Sequence, residues 1–143
     1  MAGVRHQARA YALQILYARD VDAGTDVASA VAQWDSDFEL DLDPAAREFA
    51  QALVTAAVER AAKVDELIVS ASKNWRLDRM SRVDRNILRL GTVELVAFLD
   101  VPVKVAINEA VELAKQFGTA ESHAFVNGIL DRIAALVGRS PES

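Results

Sequence analysis

Ser81-Arg82-Val83-Asp84-Arg85-Asn86-Ile87-Leu88-Arg89-Leu90-Gly91 has the pattern that starts a helix. A serine ahead of the first turn accepts a backbone N–H, and an acid three residues on, here Asp84 in place of glutamate, completes a capping box. Behind it Leu88, Gly91, Leu95, Phe98 and Leu99 recur on one face at helical spacing. Working toward the C-terminus, Val103, Ile107, Ala110, Ala114 and Phe117 make a second such stripe. Phe125, Ile129, Ile133 and Leu136 make a third, entered through Thr119. Working back, Phe49, Leu53, Ala56, Ala57, Val64, Leu67, Ile68 and Ala71 trace one stripe, which predicts a single long helix begun by Asp43 as cap and Pro44 in the first turn. Val27, Ala30, Val31 and Trp34 give a short helix after Thr25-Asp26, and Ala8, Ala12, Ile15 and Leu16 give the first helix, over residues 4–19. Gly118 and Gly138 each follow an apolar run, where a residue able to take positive φ closes a helix. No stretch sustains strict alternation. The fold class is all-α.

The chain has 143 residues, 52% of them hydrophobic, enough for one core and one domain. Its expected extent is residues 1–138, with residues 139–143 as a disordered tail. There is no cysteine, which removes disulfides, thiolate metal sites and cysteine nucleophiles together. No signal peptide is evident, and no apolar run approaches the ~20 residues of a membrane span, so the reading is a soluble, cytoplasmic protein without a membrane partner. The six glycines are scattered and none supports a phosphate-cradling loop. His6 and His123 lack metal-ligand spacing. Glu94, Glu109, Glu112 and Asp131 lie on otherwise apolar helices, where hydrogen-bonded networks with Asn108 and Asn127 are favoured over an acid/base pair or a metal site. No catalytic residue, metal or cofactor is implied. Gly128 falls mid-helix, where glycine costs about 1 kcal/mol against alanine, and it predicts a close helix–helix approach.

Charge is segregated within a formal total of −5. Residues 1–19 carry Arg5, His6, Arg9 and Arg19 and no acid, whereas Asp20 to Glu48 is densely acidic with Arg47 its only base. Residues 73–89 carry Lys73, Arg76, Arg79, Arg82, Arg85 and Arg89 against Asp78 and Asp84. Two basic islands steer a polyanion whatever the total charge. A solvated helix face with an Asp78–Arg82 pair accounts for the second island equally simply. Trp75, interleaved with these cations, suits stacking on unpaired bases, although a tryptophan at a helix junction is more often core. Arg5 and Arg9, four apart on one helix face with no local acid, are expected to be available to phosphates and to matter little for stability.

Val83-Asp84-Arg85-Asn86-Ile87-Leu88-Arg89-Leu90, Glu94-Leu95, then Val101 to Gly118 (VPVKVAINEAVELAKQFG) and Ser122 to Asp131 (SHAFVNGILD), taken in order, resemble the NusB family of bacterial antitermination factors. Arg9 and Leu16-Tyr17 agree with that family's basic first helix. The resemblance runs over almost the whole chain and is weakest across residues 20–45. It implies two packed three-helix units and a non-enzymatic factor that binds boxA-type single-stranded RNA of nascent ribosomal RNA. The factor would act together with NusE, a ribosomal small-subunit protein, within an RNA polymerase antitermination complex. It assigns RNA binding to Arg5, Arg9, Phe117, Glu121 and Phe125, and more loosely to Arg76 and Arg79, which local charge also nominates. Tyr17 and Asp84 are assigned to the NusE contact. Members often have more N-terminal arginines than Arg5-His6-Gln7-Ala8-Arg9 provides, so weak RNA binding by the free protein is expected. Some members self-associate, which leaves a homodimer open. Two alternatives are an RNA-binding module like the N-terminal region of certain ribosomal RNA methyltransferases and a protein-interaction scaffold that binds no RNA.

Overall fold

In the computed structural model, which describes residues 3–21, 43–73 and 75–139, six α-helices and one 3-10 turn follow one another. The helices are α1 (Val4–Val21), α2 (Pro44–Glu59), α3 (Ala61–Ser72), α4 (Arg82–Ala97), α5 (Val103–Phe117) and α6 (Ser122–Leu136), with the 3-10 turn at Leu77–Arg79. No strand occurs among the described residues. The short helix expected at Val27–Trp34 lies outside them.

Capping follows the chemistry of the sequence. Asp43 accepts from the Ala45 N–H at 2.8 Å, with Pro44 behind it. Ser81 accepts from the Asp84 N–H at 3.1 Å. Only this half of the capping box forms among the described residues, and Asp84 Oδ1 is left buried without a partner there.

The single long helix expected over Phe49–Ala71 is two. Arg60 leaves helical geometry (φ −107°, ψ 17°) and its N–H turns back to the Ala56 and Val58 carbonyls. No glycine or proline marks this break. Packing makes it: α2 lies against α1 and α4, whereas α3 lies against α4 and α6. Each half of the stripe therefore needs its own axis.

α4 lies at the centre and touches the other five helices; α1 packs mainly on α2, and α5 mainly on α6. That position explains why α4 is buried all round from Leu90 through Leu95, and not along one stripe. Leu99, placed on the stripe by its spacing, lies beyond the helix and is exposed, and Leu136 at the end of α6 is exposed as well.

The glycines divide by purpose. Gly138 takes positive φ (77°) after α6, as expected. Gly118 does not, and closes α5 in extended geometry. Its missing side chain makes room instead: a Cβ there would lie 2.6 Å from Ser122 Cβ and 2.8 Å from the Ala114 carbonyl. The Ser122 hydroxyl uses this proximity to accept the Thr119 N–H at 2.9 Å, tightening the turn into α6. The close helix approach expected at Gly128 is absent, since a Cβ there would meet only Arg132 Nη1, at 3.9 Å. It occurs at Gly91, where a Cβ would lie 2.7 Å from Leu130 Cδ1 and 3.5 Å from Ala110 Cβ. Arg139, expected to belong to the tail, is held against the helices, its guanidinium donating to the Leu95 and Val101 carbonyls. Residues 140–143 lie outside the described residues.

Candidate nucleic-acid interface

The basic N-terminal helix is not a row of free cations. Arg9 is buried, and its Nε and Nη2 grip the Glu94 carboxylate of α4 at 2.7–3.0 Å. Its guanidinium also sits 5.5 Å from the Phe49 ring centroid and 3.9 Å from Glu109. Residues 1–19 hold no acid, but the fold brings one from 85 positions away. The expectation that Arg9 is exposed and indifferent to stability therefore fails. Burial pushes the Glu94 carboxyl above its ordinary range, the Arg9 fork opposes that, and the nearby Glu109 charge adds to it. His6 pairs with Glu109 through Nδ1 at 2.7 Å. Glu112 and Asp131, with Asn108 and Asn127, are exposed, so the expected carboxylate–asparagine networks do not form. Arg5 remains outside this knot: it is exposed, stacks 4.5 Å over Phe49 and makes a loose 3.9 Å pair with Asp100.

The second basic island is split as well. Arg85 and Asn86 donate to Asp20 Oδ2 at 2.6 and 2.9 Å. Arg89 grips Asp65 at 2.9 and 3.2 Å. These acids of α1 and α3 neutralise two of the cations. Arg76, Arg79 and Arg82 stay exposed, Arg76 beside Asp78 at 3.1 Å. The Asp78–Arg82 pair expected from spacing is replaced by this one. Desolvation alone would raise Asp20, but the hydrogen bonds from Arg85 and Asn86 and the charges of Arg85 and Arg89 hold it below its ordinary 3.8. A depressed acid stabilises above its unfolded value and loses that contribution as pH falls through the folded one. Asp20→Asn should cost about 1–2 kcal/mol at pH 7. In acid-limb denaturation curves its deficit against wild type should shrink below about pH 3.8. A deficit unchanged at low pH would contradict the ion pair.

Aromatic side chains supply two exposed apolar features. Leu13, Gln14, Tyr17 and Ala18 of α1, Val83 of α4 and Phe117 of α5 line a groove of about 290 Å³. It joins Tyr17, assigned to the partner, with Phe117, assigned to RNA, whereas Asp84 is not among the residues that line it. Elsewhere Trp75 meets Phe125 edge-to-face, ring centroids 5.6 Å apart. Trp75 is 53% exposed and is not core. Phe117 is exposed at its rim, whereas Phe125 is half-buried against the core. Glu121, exposed at the start of α6, accepts from the Thr119 hydroxyl at 3.3 Å. Among the described residues no cluster of three or more histidines and acids is placed to hold a metal, and no helix is long and apolar enough to cross a membrane.

Comparison with known proteins decides the family. The NusB family model matches residues 6–135. The chain belongs to the NusB family. The transcription antitermination protein NusB of Sorangium cellulosum is 50% identical over 139 residues, covering 96% of each chain. NusB of T. maritima superposes with a TM-score of 0.83 at 36% identity, over 99% of this chain and 96% of that one. A structure of the antitermination factors NusB and NusE in complex with double-stranded RNA superposes at 0.82 and 29% identity, over 95% of this chain and 99% of that one. The groove at Tyr17 and the Trp75–Phe125 pair escaped the sequence reading as units. Both assemble residues from separate segments, and only Trp75, flagged by its basic neighbours, left a local signal.

Proposed function

We propose that this chain is a non-enzymatic transcription antitermination factor that binds RNA together with a NusE-type ribosomal protein. The observation that carries this reading is its likeness, over nearly its full length, to the NusB of the NusB–NusE–RNA complex. The RNA is a boxA-type single strand of a nascent ribosomal transcript, the complex supports RNA polymerase, and the place of action is the cytoplasm. Residues 1–138 act as one RNA-binding domain. Arg5, Arg76 and Arg79 contact phosphates, and Phe117, Glu121 and Phe125 belong to the RNA-binding surface. Tyr17 and Asp84 face NusE. Arg9 is reassigned: locked to Glu94, it positions α1 and leaves phosphate contact to Arg5. Exposed aromatics and guanidinium groups favour unpaired bases over a duplex.

The test is a titration of single-stranded boxA-type RNA, and of the same RNA as a duplex, with and without the NusE partner. The single strand should bind weakly to the free protein and distinctly more tightly to the mixture. For the mixture, Arg5→Ala should flatten the log–log salt dependence by about 0.7, one single-strand phosphate contact. Equal affinity of the free protein and the mixture would refute partner dependence, and preference for the duplex would refute the single-strand assignment.

A further inference from the structure

Gly128 has no reason within the fold to be glycine. Gly91 and Gly118 are required by atoms under 3 Å from the missing Cβ, and Gly138 by its positive φ. Gly128 sits inside α6 with no neighbour closer than Arg132 Nη1. Glycine there only weakens the helix relative to alanine. Its surroundings are otherwise built with care. Phe125, Gly128 and Arg132 follow one another at i, i+3 and i+7 on one face of α6. Trp75 stands on Phe125 with over half its surface open. Arg132 is anchored at the other end, its Nε donating to the Ala71 carbonyl at 2.7 Å. Its terminal nitrogens have no partner among the described residues.

We propose that this face is a nucleotide subsite in which one unpaired RNA nucleotide crosses α6 at Gly128. The base stacks on Trp75, with Phe125 behind the indole as its support. The bare backbone of Gly128 lets the sugar approach closer than any side chain would permit. The Nη groups of Arg132 take the phosphate, the Nε bond to Ala71 holding the fork in place. The occupant is a nucleic acid because aromatic face, open backbone and cation follow one another in the order base, sugar, phosphate. The exposed Lys73, Arg76 and Arg79, which flank Trp75 in the sequence, extend the charge match. This inference rests on the RNA-binding reading above and specifies a subsite within it.

The test sets stability against binding in the full chain with its NusE partner and a single-stranded boxA-type RNA. Gly128→Ala should raise the urea midpoint and weaken RNA binding, two effects of opposite sign. Gly128→Leu should weaken binding about tenfold without lowering the midpoint. Trp75→Ala should lose about tenfold, within the range for one stacked base, and Trp75→Phe should restore most of it. Wild-type RNA affinity in Gly128→Leu and Trp75→Ala would overturn the subsite while leaving RNA binding intact. Parallel losses of midpoint and affinity would assign both residues to the fold and overturn it too. Absence of RNA binding by the wild type would instead remove the reading on which the subsite rests.

Discussion

Arg9→Ala should destabilise the protein by about 3–5 kcal/mol, because it strands a buried carboxylate. Glu94 is 1% exposed and Arg9 2%, so water cannot replace the lost fork. Burial already pushes the Glu94 carboxyl up, and Arg9 is the group that opposes this. Without it the carboxyl rises further, so the native variant takes up a proton more readily than the unfolded chain does. The deficit should therefore be largest at neutral pH and shrink as the solution is acidified. Urea unfolding at pH 7 and pH 5 reads both parts. Replacing the pair together, as Arg9→Met with Glu94→Leu, should recover much of the loss, since two apolar side chains need no partner. A wild-type midpoint for Arg9→Ala would mean that the buried bridge is not formed.

Gly91→Leu should cost about 3 kcal/mol or more, at the upper end of overpacking effects. A Cβ at this position already meets both Leu130 methyl groups, at 2.7 and 3.1 Å. Leu130 is wholly buried, so it has no solvent to swing into. Gly91→Ala should be milder, because helix propensity returns about 1 kcal/mol against the same contact. Thermal or urea midpoints of the two variants should fall in that order. Tolerance of leucine would show that α4, α5 and α6 do not meet closely at Gly91.

Both predictions concern positions that local sequence reading misjudged, and for one reason. Arg9 looks free when only residues 1–19 are considered, and Glu94 looks like part of a network with Asn108 and Asn127 when only the C-terminal helices are considered. Their pairing depends on α1 crossing α4. Gly128 and Gly91 are both glycines inside helices, indistinguishable by propensity, and only the neighbouring helix separates a packed one from an open one. The same holds for Arg85 and Arg89, which read as basic surface until Asp20 and Asp65 arrive from α1 and α3.

By itself the sequence determined what depends on neighbours a few positions apart. The helical class, the caps at Asp43 and Ser81, the turn at Gly138 and the family pattern in its C-terminal half all rest on local spacing and local hydrogen bonds. The tertiary structure decided what depends on separate segments meeting. It broke the helix at Arg60, buried the second half of α4 on every side and neutralised Arg9, Arg85 and Arg89. It left Trp75 standing open on Phe125 beside a bare Gly128. Charge and burial are properties of the assembled surroundings, and an electrostatic partner 85 residues away leaves no mark on the spacing of the residues beside it.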